Sequence, residues 1–307
     1  MPYYNNVLSK LEYEKYIITH SREMIEDYTT RKLSIREISC KFNLSWGATR
    51  WCLLKHNVCF RDRVSNKFHM IDEKYFEKID NMEKAYWLGW LFADGNNFTK
   101  THYVSISLKE SDKLVLENFA RDLKSSHPIK TYIRKGGFAA GNKFHVFGFG
   151  NKKLSKDLEN LGMVNRKSLI LKFPVLEDSF IPAFLRGYLE GDGNIAFYPQ
   201  PDKRPRFSCG ILGTLEFITE VQKYLYNKFQ IKFSVDTKKG WKERNINMYR
   251  ATLKKKTEVL TFLKHIYNDC GDHFLPRKFA IYQKMLDYVS KNGLVSWNTG
   301  CKKNVII

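Results

Sequence analysis

One sequence pattern occurs twice in the chain and limits the possible folds more than any other feature. Residues 85–97 read AYWLGWLFADGNN, and residues 183–195 read AFLRGYLEGDGNI. Both fit the frame A-[YF]-x-x-G-[WY]-L-x-[AG]-D-G-N. After each copy the hydrophobic periodicity predicts strand, strand, helix, strand, strand, helix. We therefore expect one folding unit present twice, an αββαββα repeat of the α+β class.

The predicted elements of the two halves correspond in order. In the first half we predict strands at 102–108, 128–135 and 144–150, and helices at 110–123 and 151–161. In the second half we predict strands at 206–212, 231–236 and 248–254, and helices at 215–229 and 257–268. Arg166-Lys167 follows the last helix of the first half, and Arg277-Lys278 follows that of the second half.

Small residues lie four positions apart within each copy of the pattern. Gly89 and Ala93 would share one face of the first helix, and Gly187 and Gly191 one face of the second. A mid-helix glycine destabilises a helix by about 1 kcal/mol relative to alanine, so its presence indicates a packing requirement. We expect the two helices to pack closely against each other.

Each of these helices ends at an Asp-Gly pair. Asp and Gly are common turn residues, so a single such pair carries little weight. If the two helices lie side by side and parallel, two pairs in the same frame bring Asp94 and Asp192 together at the same end. Two neighbouring carboxylates repel each other unless a divalent cation neutralises them, and oxygen ligands suit Mg²⁺ or Mn²⁺. The pattern therefore predicts a metal site of the kind that cleaves phosphodiesters.

The segment from Ser21 to Arg63 is predicted to form three short helices. They cover about 21–29, 34–41 with the cap Ser34 and Glu37, and 45–56 with the cap Ser45. This order is typical of a helix-turn-helix, whose last helix enters the DNA major groove and would carry Arg50 and Lys55 as contacts. The basic tail Arg61-Asp62-Arg63 favours this interpretation. A three-helix bundle that contacts nothing remains the alternative.

The charge of the chain indicates a polyanionic partner. It has 52 Lys+Arg against 32 Asp+Glu, a net charge of +20 on 307 residues. Tyr, Phe and Trp are interleaved with the basic residues, which favours nucleic acid. The absence of an apolar run of about 18 residues argues against a membrane span, and the charged N-terminus argues against a secretory signal. We expect an intracellular, cytoplasmic protein with reduced cysteines, since no CxxC pair occurs.

The repeated motifs resemble those of single-chain LAGLIDADG homing endonucleases. WLGWLFADG at 87–95 and LRGYLEGDG at 185–193 correspond to the two motifs of that family, and YFEKIDNMEKAYWLGWLFADGN and NRKSLILKFPVLEDSFIPAFLRGYLEGDGN resemble its approaches to them. The resemblance covers about residues 70–290. Separately, SIREISCKFNLSWGATRWCLLKHNVCFR resembles the helix-turn-helix of resolvase-type recombinases over about forty residues.

The family resemblance implies a saddle of two repeats whose strands lie in the DNA major groove. It implies that Asp94 and Asp192 bind the metals with help from the Ala93 and Gly191 carbonyls, and that both strands are cut with short 3′ overhangs. Lys167 and Lys278 match the auxiliary basic residues of the family, although phosphate-contacting or solvated lysines are equally compatible. Lys109 matches a further polar site residue, and its counterpart in the second half is expected to be Gly213.

Strand alternation independently predicts which side chains face DNA. In 231–236 and 248–254, Ile231, Phe233, Val235, Tyr249, Ala251 and Leu253 are expected to face inward. By the same alternation, Tyr103, Ser105, Ser107 and Tyr132 are expected to face outward, toward DNA. His145 is expected to be either a base contact or a packed residue. The DNA-facing residues predicted in the sheets are Lys130, Arg134, Arg206, Ser208, Lys232, Arg250, Thr252 and Lys254.

These inferences combine into one functional prediction. The chain is expected to be a monomeric, metal-dependent, site-specific endonuclease acting on a long asymmetric double-stranded DNA target, either intron-encoded or free-standing. The domains are placed at 1–65 (helix-turn-helix), 66–83 (linker), 84–179 (repeat 1) and 180–307 (repeat 2 and tail). The alternatives are a maturase that binds intron RNA and a DNA-binding regulator that does not cleave.

Overall fold

The computed structural model describes residues 10–60, 69–136, 140–200, 203–244, 246–293, 295–298 and 301–304. The chain divides into two compact units, Met1–Phe68 and His69–Ile307. The predicted boundary at residue 65 lies outside the described residues, as does the tail 61–63. The boundaries at 83 and 179 stay predictions. No helix in the described ranges is long and apolar enough to cross a membrane.

Residues 10–60, the described part of the first unit, form three helices. They are α1 (Lys10–Thr29), α2 (Ile35–Lys41) and α3 (Trp46–Lys55). Ser34 and Glu37 form the predicted capping box of α2, and Ser45 caps α3 through the Ala48 amide. Helix α1 begins eleven residues before the predicted start at 21. Its apolar face continues toward the N-terminus through Ile17, which is buried with Met24 in the core of this unit.

The second unit contains the αββαββα order twice, as the sequence predicts. Repeat 1 comprises α4 (Met82–Asp94), β1 (Gly95–Phe98), β2 (Tyr103–Lys109), α5 (Lys113–Asp122), β3 (Lys130–Ile133), β4 (Lys143–Gly150) and α6 (Lys152–Asn160). Repeat 2 comprises α7 (Ile181–Asp192), β5 (Gly193–Gln200), β6 (Lys203–Gly213), α8 (Leu215–Phe229), β7 (Ser234–Asp236), α9 (Lys239–Glu243), β8 (Tyr249–Leu253) and α10 (Lys256–Tyr267).

Each repeat contributes one antiparallel four-stranded sheet. The strand orders are β1-β2-β4-β3 and β5-β6-β8-β7, which are equivalent. Gly95 pairs with Ile106 in the first sheet, and Gly193 pairs with Ile211 in the second. The inner face of both sheets packs with the helices in one continuous hydrophobic core. The fold is therefore α+β with two equivalent halves.

The described residues contain four elements that the sequence did not predict. A short helix, α9, occupies the place of the turn expected at Lys239-Gly240. Helix α11 (Pro276–Asn292) follows α10, where only the Arg277-Lys278 pair was singled out. Pro276 suits the first helical turn because its missing N–H would have no partner there. For the C-terminal segment from about residue 289 the sequence predicts no structure. It includes an antiparallel pair of strands, β9 (Val295–Asn298) and β10 (Cys301–Asn304).

Candidate active site

Helices α4 and α7 touch through their backbones at the predicted glycines. A Cβ added to Gly89 would lie 2.1 Å from the Phe184 carbonyl oxygen, and one added to Gly187 would lie 2.1 Å from that of Tyr86. Further along, a Cβ on Gly191 would lie 2.4 Å from the Ala93 Cβ. Residue numbers at the contact increase together along α4 and α7, from Gly89 beside Phe184 to Ala93 beside Gly191. The two helices are therefore parallel. All four predicted interface residues lie at this contact.

The parallel arrangement brings the two motif aspartates to one end of the helix pair. A Cβ on Gly191 would lie only 3.1 Å from the Asp94 carboxylate, so this carboxylate reaches across to the residue before Asp192. Both aspartates end their helices and are solvent-exposed on one side. The site is therefore a pair of accessible carboxylates at the end of the helix pair.

Desolvation dominates the electrostatics of the carboxylate pair. Although open to solvent on one side, Asp94 is crowded by protein atoms, and this desolvation together with the Asp192 charge raises the pKa of Asp94 to about 6. Desolvation also raises the pKa of Asp192, while Lys167 and Lys278 oppose the shift. Such a pair favours a bound cation because the cation replaces protons as the neutralising charge.

The two candidate auxiliary lysines lie beneath the carboxylates and contact the backbone. Lys278 Nζ donates to the carbonyls of Leu189, Glu190 and Gly193 at 2.6–2.7 Å. Lys167 Nζ donates to the carbonyls of Ala93, at 3.3 Å, and Gly95. These carbonyls belong to the C-terminal ends of the motif helices, where a cation is favoured by the helix dipole.

Burial distinguishes these lysines from ordinary surface lysines. Lys167 is 7% exposed and Lys278 is 5% exposed, so the solvated alternative is wrong for both. Desolvation lowers the pKa of Lys167, and desolvation together with the neighbouring Arg277 lowers the pKa of Lys278 to about 8. Their charges partly balance Asp94 and Asp192 from inside the protein.

The donor set of this site fits a hard divalent cation. It offers two accessible carboxylates and the carbonyl ends of two helices, all oxygen ligands of the type Mg²⁺ prefers. Desolvation raises the pKa of both carboxylates, and a cation bound between them would oppose that shift. Of the two predicted carbonyl ligands, that of Ala93 already accepts a hydrogen bond from Lys167 Nζ. The other belongs to Gly191, which is half-buried beside Asp94.

The surroundings of Asp94 are polar and partly supplied by repeat 2. A cleft beside Asp94 is lined by Lys109, Lys143 and Arg277 among others. Arg277, at the start of α11, pairs with the buried Asp112 of repeat 1. This contribution of the other repeat was not found from the sequence because the two residues are 165 positions apart.

The counterpart of Lys109 is not Gly213, as the sequence suggested. Since Ile106 and Ile211 occupy equivalent register positions, Lys109 corresponds to Thr214. Thr214 is fully buried and caps α8 through the Phe217 amide. The two halves therefore differ here, with an exposed lysine in one and a buried helix cap in the other.

The predicted DNA-facing residues lie on the outer faces of the two sheets, with one exception. Lys232 precedes β7, and its ammonium lies 4.8 Å from the ring centre of Tyr226 on α8. Asp192 shares a cleft with Ser208, Arg250, Thr252 and Lys254. Arg250 is held by Asp236 through two hydrogen bonds of 3.0–3.1 Å. Exposed or partly exposed side chains are found at every predicted sheet position, namely Tyr103, Ser105, Ser107, Lys130, Tyr132, Arg134, Arg206, Ser208, Lys232, Arg250, Thr252 and Lys254.

Two residues depart from the strand-alternation expectations. Val235, expected to face inward, is 42% exposed, because β7 lies at the sheet edge and is only three residues long. His145 is 2% exposed and its Nδ1 lies 2.9 Å from Thr131 Oγ1, so it is a packed histidine. Ile231, Phe233, Ala251 and Leu253 are buried as expected, and Tyr249 is partly buried.

In the first unit, Arg50 and Lys55 lie on the outer side of α3. The Arg50 guanidinium carbon is 5.8 Å from the ring centre of Trp46 and 4.9 Å from that of Phe60. The Lys55 ammonium is 4.9 Å from the ring centre of Trp51. Both predicted contacts are therefore on one helix, beside exposed aromatic rings.

Sequence reasoning missed a cluster of Glu83, Asp122 and His273 whose ligand atoms lie close enough to hold a metal ion. Glu83 belongs to the first turn of α4, at the opposite end of that helix from Asp94. Asp122 already accepts hydrogen bonds from Trp87 Nε1 at 2.9 Å and His273 Nε2 at 2.8 Å. These contacts explain the cluster as a hydrogen-bond network that joins α4, α5 and the segment before α11.

Comparison with known proteins finds similarity only among solved structures. No family model matches the chain, and no curated protein matches it either. The meganuclease I-SmaMI bound to uncleavable DNA has a TM-score of 0.44 and 10% identity, covering 68% of this chain and 90% of its own. The I-LtrWI LAGLIDADG homing endonuclease bound to target DNA has a TM-score of 0.43 and 11% identity, covering 72% of this chain and 92% of its own.

A further similar structure is the N-terminal LAGLIDADG domain of DUF199/WhiA. Its TM-score is 0.39 and its identity 17%, and the match covers 66% of this chain and 85% of that domain. The similar solved structures thus include DNA-bound homing endonucleases and a domain named for the LAGLIDADG fold. At these identities and TM-scores, no activity is transferred to this chain.

Proposed function

We propose that this chain is a divalent-metal-dependent endonuclease that makes a site-specific double-strand break in a long asymmetric DNA target. The observation that carries this proposal is the convergence of Asp94 and Asp192 at one end of the parallel α4–α7 pair. Two accessible carboxylates with raised pKa, between two sheets with cationic outer faces, suit a metal ion and a DNA phosphate together. We infer the short 3′ overhangs only from the family resemblance.

In this proposal, Asp94 and Asp192 would hold Mg²⁺ or Mn²⁺, and the Ala93 and Gly191 carbonyls would be further ligands. A bound ion of this kind polarises the scissile phosphate and lowers the pKa of attacking water. Lys167 and Lys278 hold the helix ends in place and supply positive charge from below. We assign them the role of positioning residues, since their ammonium groups contact backbone carbonyls.

The DNA duplex would lie along the outer faces of the sheets. Lys130, Arg134, Arg206 and Lys254 are exposed there, which suits phosphate contacts and, for arginine, guanine. Ser208, Arg250 and Thr252 line the cleft nearest Asp192 and would contact bases close to the cut. Since the two sheets carry different side chains, the target would be asymmetric. One chain provides both halves, which favours a monomer.

Two alternatives predict different outcomes of the same experiment. An intron RNA maturase would use the cationic faces for folded RNA, and a regulator would bind DNA without cutting it. The accessible carboxylates with raised pKa favour cleavage over both, because a binding surface for polyanions gains nothing from two negative charges at its centre.

The test is selection by the full chain, from a random-sequence DNA library, of cleaved duplexes and separately of bound duplexes, with a folded intron RNA added as a competitor. We expect wild type to release cut ends with Mg²⁺ or Mn²⁺ and none with chelator, and Asp94→Asn or Asp192→Asn to bind the selected duplex without cutting it. Asp287→Asn, a change to an exposed aspartate on α11, is the matched control and should cut normally. Tight duplex binding with no cutting under any divalent ion would support the regulator. Preferential binding of intron RNA would support the maturase.

A further inference from the structure

Helix α3 presents an apolar surface to solvent. Trp46 is 56% exposed, Trp51 is 37% exposed and Leu54 is 46% exposed. With 3.6 residues per turn, positions 46, 50, 51 and 54 lie on the same side of the helix. The opposite side, formed by Ala48, Cys52 and Leu53, is buried in the core of the first unit. The exposed group of Trp46, Trp51 and Leu54, with Arg50 and Lys55, is called the α3 face below.

The α3 face is cationic as well as apolar. No Asp or Glu occurs between Glu37 and Asp62, whereas α1 carries five acidic residues. Arg50 and Lys55 each lie over a tryptophan ring of this face, and such contacts restrict the motion of a long cationic side chain. Charge complementarity therefore points to an anionic partner with apolar groups within reach.

The shape of the α3 face selects duplex DNA among anionic partners. An α-helix with its side chains is about 10–12 Å in diameter and therefore fits the major groove of B-form DNA, which is about 12 Å wide. The major groove of A-form RNA is too deep and narrow for side chains to read. Within the DNA groove, the thymine 5-methyl is the apolar group that such side chains contact. RNA normally carries uracil instead and lacks this methyl.

We propose that α3 lies in the DNA major groove and reads thymines through Trp46, Trp51 and Leu54, with Arg50 contacting a guanine. Lys55 then contacts a phosphate near the C-terminal end of α3. The inference deepens the proposed function, because it assigns a second, thymine-containing segment of the target to the first unit. It depends on the DNA-binding part of that proposal and not on cleavage.

The experiment uses the full chain carrying Asp94→Asn and Asp192→Asn, so that DNA is bound and not cut. Binding selection from random duplexes should yield a thymine-rich segment beside the main conserved segment. Replacing thymine by deoxyuridine in that segment should weaken binding about fourfold for each methyl that loses an apolar partner. Adding Trp46→Ala, Trp51→Ala or Leu54→Ala should reduce this effect of deoxyuridine. Ile18→Ala, which changes an equally exposed apolar residue of α1, should leave it unchanged.

The possible failures are distinguishable. If a second segment is selected but deoxyuridine binds as well as thymine, methyl reading is overturned. Recovery of the main segment alone overturns DNA binding by α3 and leaves the endonuclease proposal intact. If no duplex is selected, both proposals fail. Because the three α3 residues are exposed, circular dichroism of each variant should match that of the parent chain.

Discussion

The guanidinium of Arg277, in repeat 2, donates to both carboxylate oxygens of Asp112, in repeat 1, at 2.8–3.2 Å. The Asp112 side chain is 4% exposed and that of Arg277 is 43% exposed. Burial alone would raise the pKa of Asp112, but the hydrogen bonds from Arg277 bring it below its ordinary value. The pair joins the two repeats beside Asp94.

Replacing Arg277 by methionine should therefore destabilise the second unit. The buried Asp112 carboxylate would lose its cation, and we expect a loss of about 2 kcal/mol in the free energy of unfolding, measured by urea titration. This is less than for a fully buried pair because Arg277 is partly exposed. The difference should shrink as the pH falls below the ordinary value of 3.8, where Asp112 becomes protonated. Arg166→Met, the exposed counterpart, is the control. An equal loss of unfolding free energy in Arg277→Met and Arg166→Met would contradict a stabilising role of the Arg277–Asp112 pair.

The backbone contact of α4 and α7 should tolerate no side chain at Gly187. An alanine Cβ would lie 2.1 Å from the Tyr86 carbonyl oxygen, so Gly187→Ala should destabilise the protein by at least about 3 kcal/mol or prevent folding. Gly47→Ala, in α3, is the matched control because its Cβ meets nothing closer than 3.9 Å. That change should raise stability by a few tenths to about 1 kcal/mol. Thermal unfolding of both variants measures the contrast, and similar melting temperatures would refute it.

Removing the Asp94 carboxylate should stabilise the metal-free protein at neutral pH. Because desolvation and Asp192 hold its pKa at about 6, above the ordinary 3.8, the folded state keeps this proton longer than the unfolded state does. The free energy of unfolding of the parent should therefore decrease as the pH rises from 3.8 to about 6. That of Asp94→Asn should not show this decrease.

At pH 8 the gain from Asp94→Asn should be about 1 kcal/mol, since solvent screens an exposed group. At pH 3 there should be none. Mg²⁺ should raise the melting temperature of the parent and not that of the variant. Asp287→Asn should behave like the parent in both measurements. A parent whose melting temperature ignores Mg²⁺ would argue against the metal site.

Lys278→Met should loosen the end of α7. Three carbonyl oxygens would lose their donor, and we expect a loss of about 2 kcal/mol at pH 7 in urea unfolding. Since the pKa of Lys278 is about 8, below the ordinary 10.5, the folded state releases this proton first. The free energy of unfolding of the parent should therefore increase, relative to that of Lys278→Met, as the pH rises from about 8 to 10.5. Lys284→Met, on the exposed side of α11, should have little effect. A pH-independent difference would argue against a buried, charged Lys278.

Lys254 should contribute to DNA binding through charge. It is exposed beside the Asp192 cleft, so Lys254→Ala should weaken binding of every duplex and reduce the slope of log K against log salt by about one. Lys223→Ala, on α8 and paired with Glu220, is the control. An unchanged salt slope would place Lys254 away from DNA.

The sequence predicted the local elements well where a cap and a periodic pattern agree. Helix α8 runs from 215 to 229 as predicted because Thr214 caps it and its apolar residues recur at helical spacing. The close contact of the two motif helices was also predictable from the small residues at 89, 93, 187 and 191. Their parallel direction, which brings Asp94 and Asp192 together, came from the structure.

The contacts formed across long sequence distances were not predictable. Lys167 and Lys278 were found by position, but a position after a helix does not reveal that the ammonium turns inward to backbone carbonyls. Pairing of Arg277 with Asp112 depends on how the repeats dock. Thr214, and not Gly213, proved equivalent to Lys109 because the strand register fixes equivalence, and register is set by pairing in the folded sheet.

The glycine contacts between α4 and α7 have a consequence for the proposed reaction. The separation of the two carboxylates is set by main-chain atoms touching main-chain atoms, which no conservative change in the surrounding core can adjust. Substitutions in the sheets could then accumulate and redirect the chain to a new target, while the stagger between the two cuts stays the same. Recognition and cutting geometry would evolve independently in this fold.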